Sequence, residues 1–173
     1  SKNIISLGAN LGYATKGFDT KSLTWNEQWN GEKFDPTKSS GEAFQNTERV
    51  NYVETGLGLN YRYQKSARTN LDLGIGALHL IEPEVSFNGD KPTKLPRRYT
   101  FSGVGNFRLT ESLDLQLHAL HQIQTKYNET VFGGLGKIYL DQNRGRELQL
   151  HLGLGYRTSG SLIPTAALQY NAW

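Results

Sequence analysis

Cysteine and methionine are both absent from the 173 residues. Without cysteine there is no disulfide framework and no thiolate metal site. Without methionine, position 1 included, the sequence is expected to be a processed or partial product from which any signal peptide has been removed. No stretch approaches the roughly 18–20 consecutive apolar residues that a membrane-spanning helix needs. Basic and acidic residues are interleaved at a net charge of +3, so no Lys/Arg block marks a nucleic-acid footprint and no nucleic-acid partner is expected. The mean hydropathy of -0.57 would by itself suggest a soluble protein. It does not decide the matter, because a membrane β-barrel alternates apolar and polar residues and averages to something mildly polar.

What is abundant is alternation. Period-2 patterning recurs about eight times, and no segment holds a helical period. Ile5, Leu7, Ala9, Leu11 and Tyr13 share one face against Ser6, Gly8, Asn10 and Gly12. Val53 to Tyr63, Leu71 to Ala77, Tyr99 to Leu109 and Leu113 to Ala119 repeat the scheme. Residues 130–140 are noisier, with Phe132, Ile138 and Leu140 opposite Lys137. Leu148 to Tyr156 against Gln149, His151, Gly153 and Gly155 is the cleanest case. Residues 162–172 alternate as well, with Pro164 removing one ladder donor. The expected fold is all-β: an antiparallel transmembrane β-barrel with about eight strands present.

Two features orient the faces. The polar face is small, carrying Gly8, Gly56, Gly58, Gly74, Gly76, Gly153 and Gly155, where a water-facing strand surface would carry Lys, Glu and Thr. On the apolar face, Tyr13, Tyr61, Tyr63, Tyr99, Phe101, Phe107 and Tyr156 lie near strand ends while Leu, Ile and Ala fill the middle. That is the pattern of two interfacial girdles around an aliphatic band, so the apolar face is read as facing lipid. Connections alternate too. Residues 17–51 and 81–97 are long, and 64–69 and 110–112 are short, as in a bacterial barrel with long outer loops and tight periplasmic turns. Trp25, Trp29, Phe34 and Phe44 in the first long connection are candidate partner contacts; folding back to plug the lumen is the other reading.

Catalytic, metal and cofactor chemistry find no motif, and no enzyme is expected. His118 and His121 have opposite parity and so face opposite sides of one strand. His118 and His151 share the polar face, where a hydrogen-bonded lumen network is the reading, and no serine motif accompanies them. Asp141-Gln142-Asn143-Arg144-Gly145 lacks the spacing and terminal Glu of a calcium loop and reads as a polar turn. Asn128-Glu129-Thr130 is a glycosylation sequon only where a glycosylation route exists. Arg97 and Arg98 suit an acidic partner or snorkelling at a strand start, the second preferred. Arg62, Arg108 and Arg157 are expected to pair with Glu54, Asp72 and Asp114 across the lumen.

As text, the chain resembles the PorP/SprF family of outer-membrane proteins associated with the type IX secretion system. The densest match is GIGALHLIEPEVSFNGDKPTKLPRRYTFSGVG, residues 74–105, where His79, Pro83, Ser86, Phe87, Leu95, Pro96, Arg97, Arg98 and Tyr99 fit the family pattern. SLTWNEQWNGEKFDPTKSSGE and LGLGYRTSGSLIPTAALQYNAW are also similar, although the family often has Asp-Ala where Gly160 and Ser161 stand. The resemblance implies a non-catalytic barrel in the bacterial outer membrane. Its partners would be outer-membrane lipid together with other secretion and gliding machinery proteins or a surface adhesin. A porin-like solute pore is the alternative function. Family members look longer at both ends, and Trp173 has the wrong parity for a terminal lipid-facing aromatic. Residues 1–173 are therefore expected to be one barrel domain that is an internal portion of a longer chain.

Overall fold

The structure, a computed structural model, describes residues 1–18, 23–39, 41, 49–87, 92–143 and 146–170. Eight strands form one sheet in chain order: β1 (Lys2–Gly17), β2 (Arg49–Gln64), β3 (Asn70–Leu78), β4 (Arg98–Arg108), β5 (Leu113–Gln124), β6 (Tyr127–Asp141), β7 (Leu148–Arg157) and β8 (Ser161–Tyr170). Every register from β2–β3 to β7–β8 is antiparallel. The described residues contain no α-helix, only the 3-10 turn Asn26–Gln28. All eight alternating segments are strands, and several run longer than their alternation shows.

The registers carry parity from strand to strand, because residues directly opposite point to the same face. Tyr61, Leu73 and Gly103 stand in one row, and Leu115, Gly136 and Leu152 in another. On the opposite face Arg62, Asp72 and Val104 line up, as do Asp114 and Lys137. Among the described residues no hydrophobic side chain is buried, whereas Asn70, His79 and Asp114 are. Leu57 is 53% exposed, Ile75 54% and Leu154 56%. In water such a surface would forgo its main source of stability, since each fully buried Leu or Ile contributes about 1.5–3 kcal/mol. Against hydrocarbon the same arrangement is favourable. Tyr99, Phe101 and Tyr156 lie near one end of their strands, and Tyr61, Tyr63, Phe107 and Tyr170 near the other, which gives the two aromatic levels of a membrane barrel.

β1 and β8 are the edges of the sheet. Nearly all of β1 and the whole of β8 are exposed on both faces, whereas β5 and β6 are mostly half-buried. A strand edge cannot stand in lipid, because each unsatisfied backbone group costs several kcal/mol there. An open sheet of eight strands is thus part of a larger barrel.

Candidate functional site

Residues Leu11–Thr55 and His79–Pro96 gather into a compact unit of their own. Within it, the described residues of the two long connections hold local structure, and local chemistry explains how. Asn30 Oδ1 accepts the amides of Glu32 at 2.9 Å and Lys33 at 2.8 Å, an Asx turn that Gly31 completes at φ 101, a conformation costly for a side chain with Cβ. The turn folds Phe34 back on Trp29 as an isolated antiparallel bridge. Gln28 accepts the Asp35 amide through its carbonyl at 2.9 Å, and its side chain accepts the Trp25 amide at 3.1 Å while donating to the Lys38 carbonyl at 3.1 Å. Asp35 accepts from the Thr37 hydroxyl at 2.6 Å and the Thr37 amide at 3.0 Å, and these hold its carboxyl below the usual pKa. The product is a surface pocket lined by Thr24, Trp25, Asn26, Trp29 and Phe34. Trp29 stays 57% exposed. Three of the four aromatics singled out in the sequence thus meet in one place; Phe44 lies outside the described residues.

Seven of the nine family-pattern positions lie in the second long connection, between β3 and β4. His79 and Glu82 both adopt left-handed backbone, φ 56 and 48, a strain of about 1–2 kcal/mol each for side chains with Cβ. The surroundings hold it: Glu82 donates its amide to the His79 carbonyl at 2.9 Å, and Leu80 donates to Thr55 at 3.3 Å. The buried His79 ring brings Nδ1 to 3.3 Å from the Glu54 carboxylate. Pro83 is buried, and its carbonyl accepts the Leu95 amide at 2.9 Å, while Val85 donates to Thr93 at 2.8 Å. Glu84 and Lys94 bridge the resulting ribbon. Phe87 packs edge-on against Phe18 at 4.8 Å, with the Lys16 ammonium 5.4 Å from its ring. Ser86 and Pro96 lie in the same connection. Arg97 precedes β4, where Tyr99 takes the apolar face beside Ala77 and Ile123. Arg98 departs from the snorkelling expectation, because its register with Leu78 and Gln124 puts it on the polar face.

The lumen-side expectations are partly met. Arg62 pairs with Asp72 at 3.7 Å. Arg157 pairs with Glu129 at 2.9 Å, Glu54 lies 3.3 Å from His79 Nδ1 without a hydrogen bond between them, and Arg108 donates Nε to the Thr110 carbonyl. Asp114, opposite Arg108 in register, is claimed instead by Arg68 from the β2–β3 turn at 2.7 Å. Tyr139 donates its hydroxyl to the same carboxylate at 2.7 Å, and the Arg68 guanidinium lies 4.2 Å from the Tyr139 ring centroid. The hydrogen bond to Asp114 raises the Arg68 pKa further. This cluster was not legible in the sequence, since its members lie 46 and 25 positions from Asp114 and share no local motif. His118 lies on the polar face and His121 on the apolar one, each in its own row. His121 Nδ1 is 2.7 Å from the Thr130 hydroxyl. His151 sits opposite Lys137, with Nε2 3.2 Å from Gln149. Asp141 accepts from the Asn143 amide and side chain, as a polar turn does; Arg144 and Gly145 lie outside the described residues.

No curated protein and no solved structure matches the chain. A family model does match, over residues 1–173, and its description is type IX secretion system membrane protein PorP/SprF. An outward apolar surface flanked by aromatic levels agrees with that description and with the outer membrane as the site of residence. The match spans the whole chain, and the protein accordingly belongs to the PorP/SprF family of type IX secretion membrane proteins.

Proposed function

We propose that the protein is a non-catalytic barrel component that supports the type IX secretion and gliding machinery, or the export and surface anchoring of a cognate adhesin, through its folded long connections. The carrying observation is the compact unit of Leu11–Thr55 and His79–Pro96, with its pocket of Trp25, Trp29 and Phe34. Exposed tryptophan on an internally hydrogen-bonded loop favours a binding role, because such rings supply large contact area at little entropic cost and dominate interfaces. Further strands of the same polypeptide would complete the barrel beyond this sheet.

The absence of cysteine from residues 1–173 makes sidedness testable with single introduced cysteines. An impermeant maleimide should label Lys33→Cys on intact cells and Ser66→Cys only after permeabilisation. Cross-linking of the full chain should capture a protein partner. The pair Trp25→Ala with Trp29→Ala should lose that partner about tenfold or more while the barrel still assembles. Label at residue 66 on intact cells, or capture unchanged by the double variant, would overturn the reading. A solute pore is the second reading. It is favoured by a trough of about 590 Å³ lined by Gly, Ser and Asn together with Leu, Ile and Ala of β1–β4, and it requires single-channel conductance in a planar bilayer.

A further inference from the structure

The polar face has a second cavity, about 630 Å³, where β4 to β7 meet their connections on the long-loop side. Its floor is built by register. Arg98 stands opposite Gln124, Gln124 opposite Tyr127, and Gln122 opposite Glu129. The Thr158–Ser159 turn closes one side, with Thr158 donating its amide to the Thr130 carbonyl at 2.9 Å.

Three features define what would fit. First, Arg98 Nε is buried without a hydrogen-bond partner. That nitrogen is covered by its neighbours, so a ligand meets the rest of the guanidinium, and a guanidinium without a carboxylate partner favours an incoming carboxylate. Second, Arg98 and Arg157 oppose the single carboxylate of Glu129 among the lining residues, and Arg157 engages that carboxylate at 2.9 Å. The cavity therefore carries one uncompensated positive charge. Third, the rest of the lining is amide, hydroxyl and phenol, with no aliphatic side chain. Many paired donors and acceptors around one cation match a ring bearing several hydroxyls and one carboxylate. An acidic peptide fits less well. The strand backbones here are already paired, β4 with β3 and β5 and β7 with β6 and β8, so no edge remains for an extended chain to join. The volume exceeds what a lone phosphate or acetate fills and falls within the usual range for small-molecule sites.

We propose that this cavity binds an acidic saccharide, a sugar unit carrying one carboxylate, with Arg98 receiving the carboxylate and Gln122 and Ser159 the hydroxyls. This goes beyond the docking role of the long connections and does not depend on it. The test uses the full-length protein folded in detergent micelles, with assembly verified by its heat-modifiable gel mobility. Digalacturonic acid, neutral galactobiose, inorganic phosphate and triglutamate are titrated separately by calorimetry. Saturable binding of digalacturonic acid is expected, with galactobiose about tenfold weaker or more. Arg98→Gln should weaken digalacturonic acid about tenfold and leave galactobiose nearly unchanged, whereas Gln122→Ala should weaken both. If Arg98→Gln fails to assemble, Arg98→Lys serves, since it keeps the charge but loses the planar fork and should still bind more weakly. The proposal is overturned if digalacturonic acid shows no saturable binding up to about 10 mM. It is equally overturned if phosphate competes as well as the sugar acid, which would make the cavity a simple anion sink, or if triglutamate binds as tightly.

Discussion

The polar face of this sheet has two halves built on opposite plans. Across β1 to β4 it is a trough, floored by Ser6, Gly8 and Asn10, Gly56 and Gly58, and Gly74 and Gly76. Across β5 to β8 it is filled along the middle and short-turn end of the strands, and open in the cavity at their long-loop end. His118, Leu120, Val131, Lys137, Tyr139, His151 and Ile163 project from the same face. Glycines occur in both halves, and for more than one reason. A Cβ on Gly133 would lie 2.8 Å from Gly155 Cα, from the Leu154 carbonyl and from His118 Nε2, so the side chain of His118 occupies the space that glycine leaves. A Cβ on Gly8 would meet nothing within 4 Å, and one on Gly76 nothing nearer than 3.7 Å. Crowding explains Gly133 and Gly153 in the filled half and Gly56 and Gly74 in the trough, and does not explain Gly8 and Gly76. Their smallness keeps volume clear.

The largest effect that can break this comparison belongs at Gly133. Gly133→Val places three new carbon atoms against backbone that cannot yield without separating β6 from β7. Assembled barrel should be lost, read as disappearance of the heat-modifiable band. Normal assembly would show that the filled half is no more tightly packed than the trough.

Next comes the clamp at the short-turn end of the filled half. Asp114 ties β5 to the β2–β3 turn through Arg68 and to β6 through Tyr139. Around it, Asn106 donates to Asn70 at 2.9 Å and accepts from Gln116 at 2.9 Å and Lys137 at 3.2 Å. Asp114→Ala removes the carboxylate partner of a guanidinium whose side chain is only 23% exposed, leaving it the Thr110 and Glu111 carbonyls. Breaking such a pair should cost about 3 kcal/mol, the low end for buried pairs because water still reaches Arg68. Urea unfolding from vesicles measures it, and a loss below about 1 kcal/mol would reduce the cluster to an ordinary surface pair.

How much of this was legible in advance follows from the same division. Where the apolar face is unbroken Leu and Tyr, as along β7, parity and the lipid-facing side read directly from the sequence. β6 read poorly because three of its signals are blurred. Gly133, Gly134 and Gly136 assign no face, Val131 and Leu135 are apolar on the polar side, and Thr130 is polar on the outer side. The ladder also slips by one residue between Tyr139 and Asp141, which exchanges faces within the strand. In the site, local patterns located the tryptophans, but partner choice across strands was beyond parity. Parity offers Arg108 to Asp114, and the reach of Arg68 from a turn decides otherwise.

An effect of similar size tests the face assignment that underlies both halves. Leu152 and His151 are adjacent on β7, one outward and one toward the filled lumen. Leu152→Arg should cost about 2–4 kcal/mol if that position lies near the bilayer midplane. His151→Ala should change assembly little, because its ring makes one 3.2 Å contact with Gln149. Vesicle unfolding distinguishes them, and the reverse order would exchange the lipid and lumen faces.

The smallest expected effect on stability sharpens the comparison most. Gly76→Leu adds a side chain whose Cβ meets only the Leu57 carbonyl, at 3.7 Å, and whose remaining atoms extend into the trough. Relief of backbone entropy and improved strand propensity should offset any loss, leaving stability within about 0.5–1 kcal/mol of the parent. What should change is the clear volume. If the trough conducts solutes, Gly76→Leu lowers single-channel conductance in a planar bilayer while assembly stays intact. If the trough instead houses a folded segment or a partner, conductance is negligible in the parent and the substitution displaces that occupant. The displacement would be seen as new protease sensitivity with unchanged heat-modifiable mobility. A variant that assembles, conducts and resists protease like the parent would show that the space has no use, and the two halves would then differ in residue size alone.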